Sequence, residues 1–302
     1  MSEYKNVMLL GAGGNLGPSV LSAFLESSPF NVTVLSRPES RSTFPSNVKV
    51  VKADYSQPSL EAAFKGQDVV VSMVGNEGFE AQKIIIEACI GAGVKRFIPS
   101  EFGSNTADPR VVEVVPIFAG KTSKIDYLRS REDKLSWTAI ITGPFLDWGF
   151  NYGFFGIDTK NRTAQIMDGG KARFDTTPLW MIGRAVVGAL QHPASSANRH
   201  VYVSGVTTTQ ADMLAEVERQ TGFLYATTMT DSAALLADAQ AKLKAGDFSG
   251  ISTMIRVGIF GKAGLGVYSD DHALCNEEYG IPRLSLEEAV RDALAYSAKA
   301  SL

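Results

Sequence analysis

Short, nearly all-apolar runs alternate with stretches of helical periodicity through the first half of the chain. The apolar runs lie at residues 7–11, 32–36, 48–53, 68–74, 96–100 and 137–143. The helical stretches between them lie at 18–27, 59–66, 80–93 and 124–132. Strands that helices cover on both faces lose the alternation of an exposed sheet, so unbroken apolar runs favour buried parallel strands. The pattern predicts an α/β fold with a Rossmann-type, doubly wound parallel sheet.

The second half of the chain has a different pattern of predicted strands and helices. Residues 164–174 predict a hairpin around Asp168, Gly169 and Gly170. A further core strand is predicted at 199–205, and helices are predicted at 176–193, 207–222 and 285–298. We expect residues 1–150 to form a dinucleotide-binding domain. Residues 151–302 are expected to form a smaller substrate-binding part that is closely integrated with the first and does not fold independently.

A glycine-rich segment, GAGGNLG, follows the first predicted strand and precedes a helix. Gly11, Gly14 and Gly17 form the spacing GxxGxxG, while Leu16 occupies the place of the third glycine in the commoner GxGxxG pattern. Glycines let the backbone turn sharply and approach a pyrophosphate, which is stabilised at a helix N-terminus. The segment predicts a dinucleotide site, and a glycine turn that binds nothing is the alternative.

The end of the second predicted strand discriminates between the two nicotinamide cofactors. An acidic residue there suits the ribose 2′-OH of NAD, whereas arginine suits the 2′-phosphate of NADP. The chain has Ser36 and Arg37 at this place and no acid before Glu39. NADP(H) is therefore favoured, although a solvated arginine would give the same sequence. Asp54, after the third strand, is placed to approach the adenine, and an exposed loop acid is the alternative.

Composition and charge disfavour several classes of partner, although a local basic patch remains open. The chain is 45% hydrophobic and 20% charged, and its net charge of -3 gives no long-range attraction for nucleic acid or an anionic membrane. No apolar run approaches the ~20 residues of a membrane helix, and no signal peptide is evident. Cys89 and Cys275 stand in no metal or redox spacing, and no metal site is indicated. We expect a cytoplasmic protein, monomeric or homodimeric, whose partner is a small molecule.

The acid-base pair of short-chain dehydrogenases, Tyr-x-x-x-Lys, is absent from the sequence. Tyr127 is followed at that spacing by Arg131. A dinucleotide fold without the pair either uses another acid-base group or does not catalyse a reaction.

Several segments together resemble the isoflavone reductase-like family. They are AGVKRFIPSEFG (92–103), WTAIITGPFLDW (137–148), the glycine loop and Arg37. The family includes phenylcoumaran benzylic ether reductases and pinoresinol-lariciresinol reductases and belongs to the NmrA-like atypical short-chain dehydrogenases. The resemblance is strong over the first half and only a pattern beyond it. It implies a Rossmann-type fold that binds NADPH, with a substrate pocket formed by the C-terminal half.

The resemblance also assigns residues. The lysine that follows the family's PSEFG segment, at the start of a helix, matches Lys121 and would be the acid-base group. Lys124 is the competing choice, more consistent with a solvated cation, and a purely structural Lys121 is the alternative. Besides the residues named above, the implied cofactor contacts are Asn15, Leu16, Val74, Gly75, Ser100, Phe102, Lys121, Pro144 and Phe145.

Aromatic residues follow the sixth predicted strand, where ligands of open α/β sheets bind. Phe145, Trp148 and Tyr152 are the predicted substrate contacts, although core packing is the alternative for each of them. As a group they indicate a flat, apolar substrate. The sequence therefore favours an NADPH-dependent reductase of an aromatic or conjugated small molecule. An NmrA-like redox sensor, which binds NADP(H) without turnover, is the second hypothesis.

Overall fold

The computed structural model describes residues 4–27, 29–75 and 81–300. Its strands are β1 Asn6–Leu10, β2 Asn31–Ser36, β3 Lys49–Lys52, β4 Val69–Ser72, β5 Arg96–Ile98, β6 Ser136–Ile141, β7 Ile157–Asp158, β8 Thr163–Met167, β9 Arg173–Thr176, β10 Arg199–Tyr202, β11 Val206–Thr209 and β12 Ala226–Thr230. Its helices are α1 Gly17–Ser27, α2 Gln57–Phe64, α3 Gln82–Ala92, α4 Pro109–Val114, α5 Ala119–Arg129, α6 Leu146–Asn151, α7 Leu179–Gln191, α8 Pro193–Ser196, α9 Gln210–Thr221, α10 Ser232–Lys244, α11 Ile251–Phe260 and α12 Leu286–Ala300.

A seven-stranded parallel sheet forms the centre of the molecule, in the order β10-β6-β5-β4-β1-β2-β3. The chain moves outward from β1 in both directions, so the strand order reverses between β1 and β4. In open α/β sheets the crevice at that reversal, beyond the carboxyl ends of the strands, is where ligands bind. The doubly wound Rossmann-type sheet predicted from the sequence is confirmed.

Helices bury both faces of this sheet. Val7 and Leu9 of β1 pack in one core with residues of α1 and α7. Met8 and Leu10, the alternate residues, pack in a second core with α2, α3 and α5. Because helices cover the inner strands from both sides, those strands need few polar positions, which explains their apolar runs. The edge strand β3 is largely exposed and has a lysine at each end.

The C-terminal half contributes to the same sheet. Strand β10 lies beside β6, and α7 packs against α1. The rest of this half surrounds a third core that includes Phe155, Phe174 and Phe260. The sheet therefore extends across residue 150, and the division of the chain at that residue stays a prediction.

The hairpin predicted at 164–174 is wrong. Strand β8 pairs with β7 and β12, whereas β9 pairs with β11. The segment Asp168–Gly170 is a short 3-10 turn, and the Asp168 carboxylate accepts the backbone N–H groups of Ser232, at 3.1 Å, and Lys262, at 3.0 Å. These bonds hold the turn against the start of α10, so the two flanking strands diverge.

The predicted helix ends of the second half are confirmed. Helix α7 ends before Pro193, and α9 begins at a Thr209 cap and ends at Gly222 in the left-handed conformation. The backbone N–H of Ser285 donates to the Glu288 carboxylate at 2.9 Å, the capping-box arrangement of a serine followed three residues later by a glutamate. Within the described ranges, no helix is long and apolar enough to cross a membrane.

Candidate active site

The glycine turn joins β1 to α1 at the strand-order reversal. Gly11 has φ +79, and a Cβ there would lie 2.6 Å from the carbonyl oxygen of Met73. A Cβ on Gly17 would lie 2.3 Å from the backbone of Ala12, so any larger residue would push α1 away from the turn. The N–H of Gly14 donates to the oxygen of Gly11 at 3.0 Å and closes the turn. The start of α1 is thus held close to the end of β1.

A cleft of about 530 Å³ opens above this turn. Its lining contains residues 11–14, 35–37, 40, 42, 44, 55 and 73–75. Of the predicted contacts, Gly11, Gly14, Arg37, Val74 and Gly75 line the cleft. Asn15, Leu16 and Gly17 follow at the start of α1, outside this lining, and the Leu16 side chain is buried in the core. Residues 76–80, which follow Gly75, lie outside the described residues.

A lysine that the sequence reasoning missed holds the far end of the cleft. Lys52 Nζ donates to Ser36 Oγ at 3.0 Å and to the backbone oxygens of Arg37 and Ser40, both at 3.1 Å. Ser36 and Lys52 are partners in the register of β2 and β3. The Arg37 side chain is 49% exposed, and its Nε lies 3.2 Å from a carboxylate oxygen of Glu39. Arg37, at the cationic end of the cleft, therefore lies on a loop that Lys52 holds in place.

Asp54 does not line the cleft. Its exposed carboxylate accepts the backbone N–H of Ser56 at 3.0 Å and the Ser56 hydroxyl at 2.5 Å, at the turn that precedes α2. The neighbouring Tyr55 lines the cleft instead. A local turn engages the Asp54 carboxylate. The approach of Asp54 to an adenine stays a prediction.

Lys121 lies in the first turn of α5, half-buried, with its side chain turned toward the segment that follows β5. Its Nζ donates to the backbone oxygen of Glu101 at 2.6 Å and lies 5.6 Å from the centre of the Phe118 ring. Burial lowers the pKa of Lys121, and the negative charge of Glu101 acts in the opposite direction. Lys124, the competing candidate, is also half-buried rather than fully exposed.

Glu101 was not predicted as a functional residue, although it lies within the PSEFG motif. Its side chain is only 1% exposed, and Oε2 accepts a short hydrogen bond from the Thr106 hydroxyl. Burial raises the pKa of Glu101, whereas Lys121 and the Thr106 hydrogen bond lower it. A buried acid and a half-buried lysine with opposite pKa displacements thus stand together at the end of β5.

Hydrogen bonds of the segment 100–103 connect Lys121 to the rest of the site. Ser100 Oγ donates to the oxygen of Val74 at 2.9 Å, and Gly143 N donates to the oxygen of Gly103, also at 2.9 Å. Phe102 is 9% exposed and packs in the core on the α1 side of the sheet. The structure therefore brings the predicted residues Val74, Ser100, Lys121 and the start of the Gly143-Pro144-Phe145 segment to one edge of the sheet.

The predicted substrate aromatics lie around α6. Phe145 and Trp148 are half-buried against the core, and Tyr152 is 64% exposed. The ring centres of Trp148 and Tyr152 are 5.0 Å apart. Among the described residues, no group of three His, Cys, Asp or Glu side chains could hold a metal ion.

A family model described as the NmrA-like family matches residues 3–236. The chain belongs to the NmrA-like family. Oxidoreductase aprR of Aspergillus flavus is 35% identical to this NmrA-like protein over 292 residues, which are 95% of this chain and 98% of that relative. An isoflavone reductase homolog of Zea mays, IRL, is 32% identical over 160 residues, 49% of this chain and 51% of its own. The resemblance stated from the motifs is confirmed.

Solved structures share the fold of this NmrA-like protein. The crystal structure of isoflavone reductase matches with a TM-score of 0.79 and 19% identity, covering 96% of this chain and 99% of that one. The complex of leucoanthocyanidin reductase with NADPH from Vitis vinifera matches with a TM-score of 0.78 and 21% identity over 96% and 99% of the two chains. At these identities, the likeness establishes the shared architecture.

Proposed function

We propose that this NmrA-like protein is an NADP(H)-dependent oxidoreductase that reduces an aromatic or conjugated small molecule, with Lys121 as its acid-base group. The observation that carries the proposal is the position of Lys121: half-buried at the carboxyl edge of the sheet, with its ammonium bonded to the segment after β5. An exposed lysine would exchange protons poorly near neutral pH, and burial corrects this by lowering the pKa. The name oxidoreductase, which aprR carries, supports the reaction class.

The residues of the cleft fit NADP(H). A Cβ on Gly11 would lie 2.6 Å from the backbone oxygen of Met73, and one on Gly13 would lie 2.2 Å from Ser42 Oγ. Arg37 offers a guanidinium for a 2′-phosphate, and Ser36 and Ser42 add hydroxyl groups at the same end. We propose that Asn15, Leu16 and Gly17 supply backbone amides to the pyrophosphate at the start of α1. The NADPH complex of leucoanthocyanidin reductase, which has the same fold, agrees with this choice of cofactor.

When bound, the nicotinamide supplies hydride to the substrate. Lys121 would transfer a proton from its ammonium group to an oxygen or nitrogen of the substrate as the hydride arrives. The segment 100–103 positions Lys121 through the backbone oxygen of Glu101. We propose that Pro144 and Phe145 border the nicotinamide side and that Phe145, Trp148 and Tyr152 contact a flat substrate. The half-buried rings of Phe145 and Trp148 would exclude water there.

The experiment compares Lys121→Ala with Lys124→Ala at one pH. NADPH binding is measured by fluorescence, and NADPH consumption is measured with a panel of isoflavonoids, lignans and conjugated imines or enones. We expect Lys121→Ala to lower kcat by about 10² to 10⁴ while NADPH affinity stays nearly unchanged, because acid-base assistance is worth about that factor. Lys124→Ala, on the same helix, should change kcat little. Equal activity of both variants, or a Lys121→Ala variant that fails only by losing NADPH, would contradict the assignment.

The same panel separates the reductase from the second hypothesis. A redox sensor would bind NADPH and consume none of it with any compound. In such a sensor, Lys121→Ala would leave NADPH binding unchanged. Turnover of any panel compound that depends on Lys121 would exclude a sensor that lacks catalysis.

A further inference from the structure

Glu101 is a buried carboxyl group that the proposed mechanism does not yet use as an acid or a base. Its backbone oxygen accepts a hydrogen bond from the Lys121 ammonium. Its side chain has a different partner and accepts a hydrogen bond from the Thr106 hydroxyl. Burying a carboxylate is costly unless a counter-charge and hydrogen bonds compensate for the lost hydration. A side chain of this type, 1% exposed beside the candidate acid-base lysine, therefore requires an explanation.

We propose that Glu101 is a positioning residue whose carboxylate charge holds Lys121 in its ammonium form. This inference rests on the proposed function only for its catalytic meaning, since a charge coupling between the two side chains would not require a substrate. Glu101 would act through Lys121 and would not touch the reacting atoms. Thr106 would orient the carboxylate by donating its hydroxyl hydrogen.

The charges around Lys121 support a two-residue coupling. Among the described residues, Glu101 is the charged group whose field displaces the pKa of Lys121, and Lys121 displaces the pKa of Glu101 in return. Helix α5 itself carries Lys124, Asp126 and Arg129, and the neighbouring α4 carries Glu113. In a partly desolvated site, a single opposite charge shifts a pKa strongly.

The coupling has a direct consequence for the proton transfer. A reductase that donates a proton needs Lys121 protonated before the hydride arrives. Burial alone would release that proton at a lower pH, and the ionised Glu101 opposes this release. Glu101 would thus extend the pH range over which Lys121 serves as an acid, while burial keeps its proton exchangeable.

The test is a titration of Lys121 in the full-length protein without substrate. Lysine side chains are labelled with ¹³C-methyl groups, followed by NMR against pH, and the Lys121 signal is assigned by its loss in Lys121→Met. We expect Glu101→Gln to lower the Lys121 midpoint by about one pH unit or more, as is typical for loss of an opposite charge nearby. Glutamine keeps the shape and can accept the Thr106 hydroxyl. Glu113→Gln, an exposed carboxyl on α4, is the matched control and should leave the midpoint unchanged.

Two further variants separate charge from packing. Thr106→Val breaks the hydrogen bond but keeps the carboxylate, so the Lys121 midpoint should move far less than in Glu101→Gln. Lys121→Met should raise the midpoint of Glu101, followed by carboxyl ¹³C NMR, because coupling between two sites is reciprocal. If Glu101→Gln does not fold, the Glu101 midpoint in Lys121→Met tests the coupling instead. An unchanged Lys121 midpoint in Glu101→Gln, or an equal shift in Thr106→Val, would overturn the inference.

The titration and the kinetic test fail independently. If Lys121→Ala retains full activity, the proposed catalytic role is wrong, while the shift in Glu101→Gln would still demonstrate the coupling. If the midpoint does not move, the coupling is wrong, whatever the kinetic result for Lys121.

Discussion

At the scale of single residues, the cationic end of the cleft depends on two side chains with different tasks. Arg37 presents its guanidinium at the cleft, whereas Lys52 donates to three oxygens of residues 36–40 and does not line it. Glu39 lies on the same loop and pairs with the Arg37 Nε. Binding of a 2′-phosphate would therefore compete with an internal carboxylate for part of the guanidinium.

We expect Arg37→Ala to weaken NADPH binding by about 10- to 100-fold, the usual worth of a hydrogen bond to a charged group. Lys52→Met should weaken NADPH binding by about tenfold, because Lys52 no longer holds the loop that carries Arg37. NADH affinity should change little in either variant. Glu39→Gln should change NADPH affinity in the opposite direction, because it releases the guanidinium. Fluorescence titration with both reduced cofactors measures these effects. Equal losses for NADPH and NADH in Arg37→Ala would contradict recognition of a 2′-phosphate.

The sequence predicted Arg37 but could not predict Lys52, and the difference is physical. Arg37 follows a predicted strand directly, so its place at the sheet edge depends on local pattern alone. Lys52 acts across the sheet, through the pairing of β3 with β2, which no local pattern specifies. Glu101 is a similar case: the motif that contains it was recognised, yet its contacts with Thr106 and Lys121 depend on how the following loop and α5 fold back on it.

At the scale of elements, Asp175 in β9 ties the C-terminal segments to the sheet. Its carboxylate is fully buried and accepts the hydroxyl groups of Ser204 and Thr207, at 2.8 and 2.6 Å, and the backbone N–H groups of Tyr268 and Ser269, both at 2.9 Å. The four donors come from the ends of β10 and β11 and from the segment before α12. One side chain therefore connects three parts of the chain.

Asp175→Ala should lower the free energy of unfolding by about 3 kcal/mol or more, because it leaves several buried donors without an acceptor. Asp270→Ala is the matched control, since it removes an exposed carboxylate that pairs with Arg173, and it should cost less than about 1 kcal/mol. Urea unfolding followed by circular dichroism measures both values. Similar losses of unfolding free energy in the two variants would show that the buried hydrogen bonds of Asp175 stabilise the protein no more than an exposed ion pair.

Element types were easier to predict than element partners. The helix that ends before Pro193 and the capping box at Ser285 follow from local chemistry, and both are present. The hairpin at 164–174 failed because β8 pairs with β7 and β12, whereas β9 pairs with β11. Periodicity identifies a strand, but the choice of its neighbour depends on the packing of the whole C-terminal half.

At the scale of the whole molecule, buried Asp147 and half-buried His200 give stability opposite dependences on pH. Burial raises the pKa of Asp147 from 3.8 to about 6, and burial, aided by Arg129, lowers the pKa of His200 from 6.5 to about 4. Protonated Asp147 favours the folded state, so its contribution is lost as pH rises from about 4 to about 6. Neutral His200 favours the folded state, so its contribution is lost as pH falls from about 6.5 to about 4. Between about pH 4 and pH 6, the two groups therefore change the free energy of unfolding in opposite directions.

We expect Asp147→Asn to stabilise the protein at pH 7 by about 1 to 3 kcal/mol, because the ionised carboxylate is no longer buried. The asparagine oxygen can still accept the N–H of Leu179, which now donates to Asp147 at 3.0 Å. At pH 4 the gain should vanish, and the variant should lose stability as pH falls below 6.5. Thermal unfolding at several pH values measures this, with Asp238→Asn, an exposed partner of Lys242, as control. An equal effect at pH 4 and pH 7 would refute the ionisation argument.

The position of β10 beside β6 also governs how the chain can be made. During synthesis the N-terminal strands leave the ribosome first, but the neighbour that covers the outer side of Ser136–Ile141 begins only at Arg199. Until then the nascent chain presents an apolar strand with unpaired N–H and C=O groups, the kind of edge that recruits foreign strands. Helix α7, which covers α1, arrives in the same interval. The molecule therefore completes its sheet late, and a chain cut after residue 150 would lack the strand that protects it from aggregation.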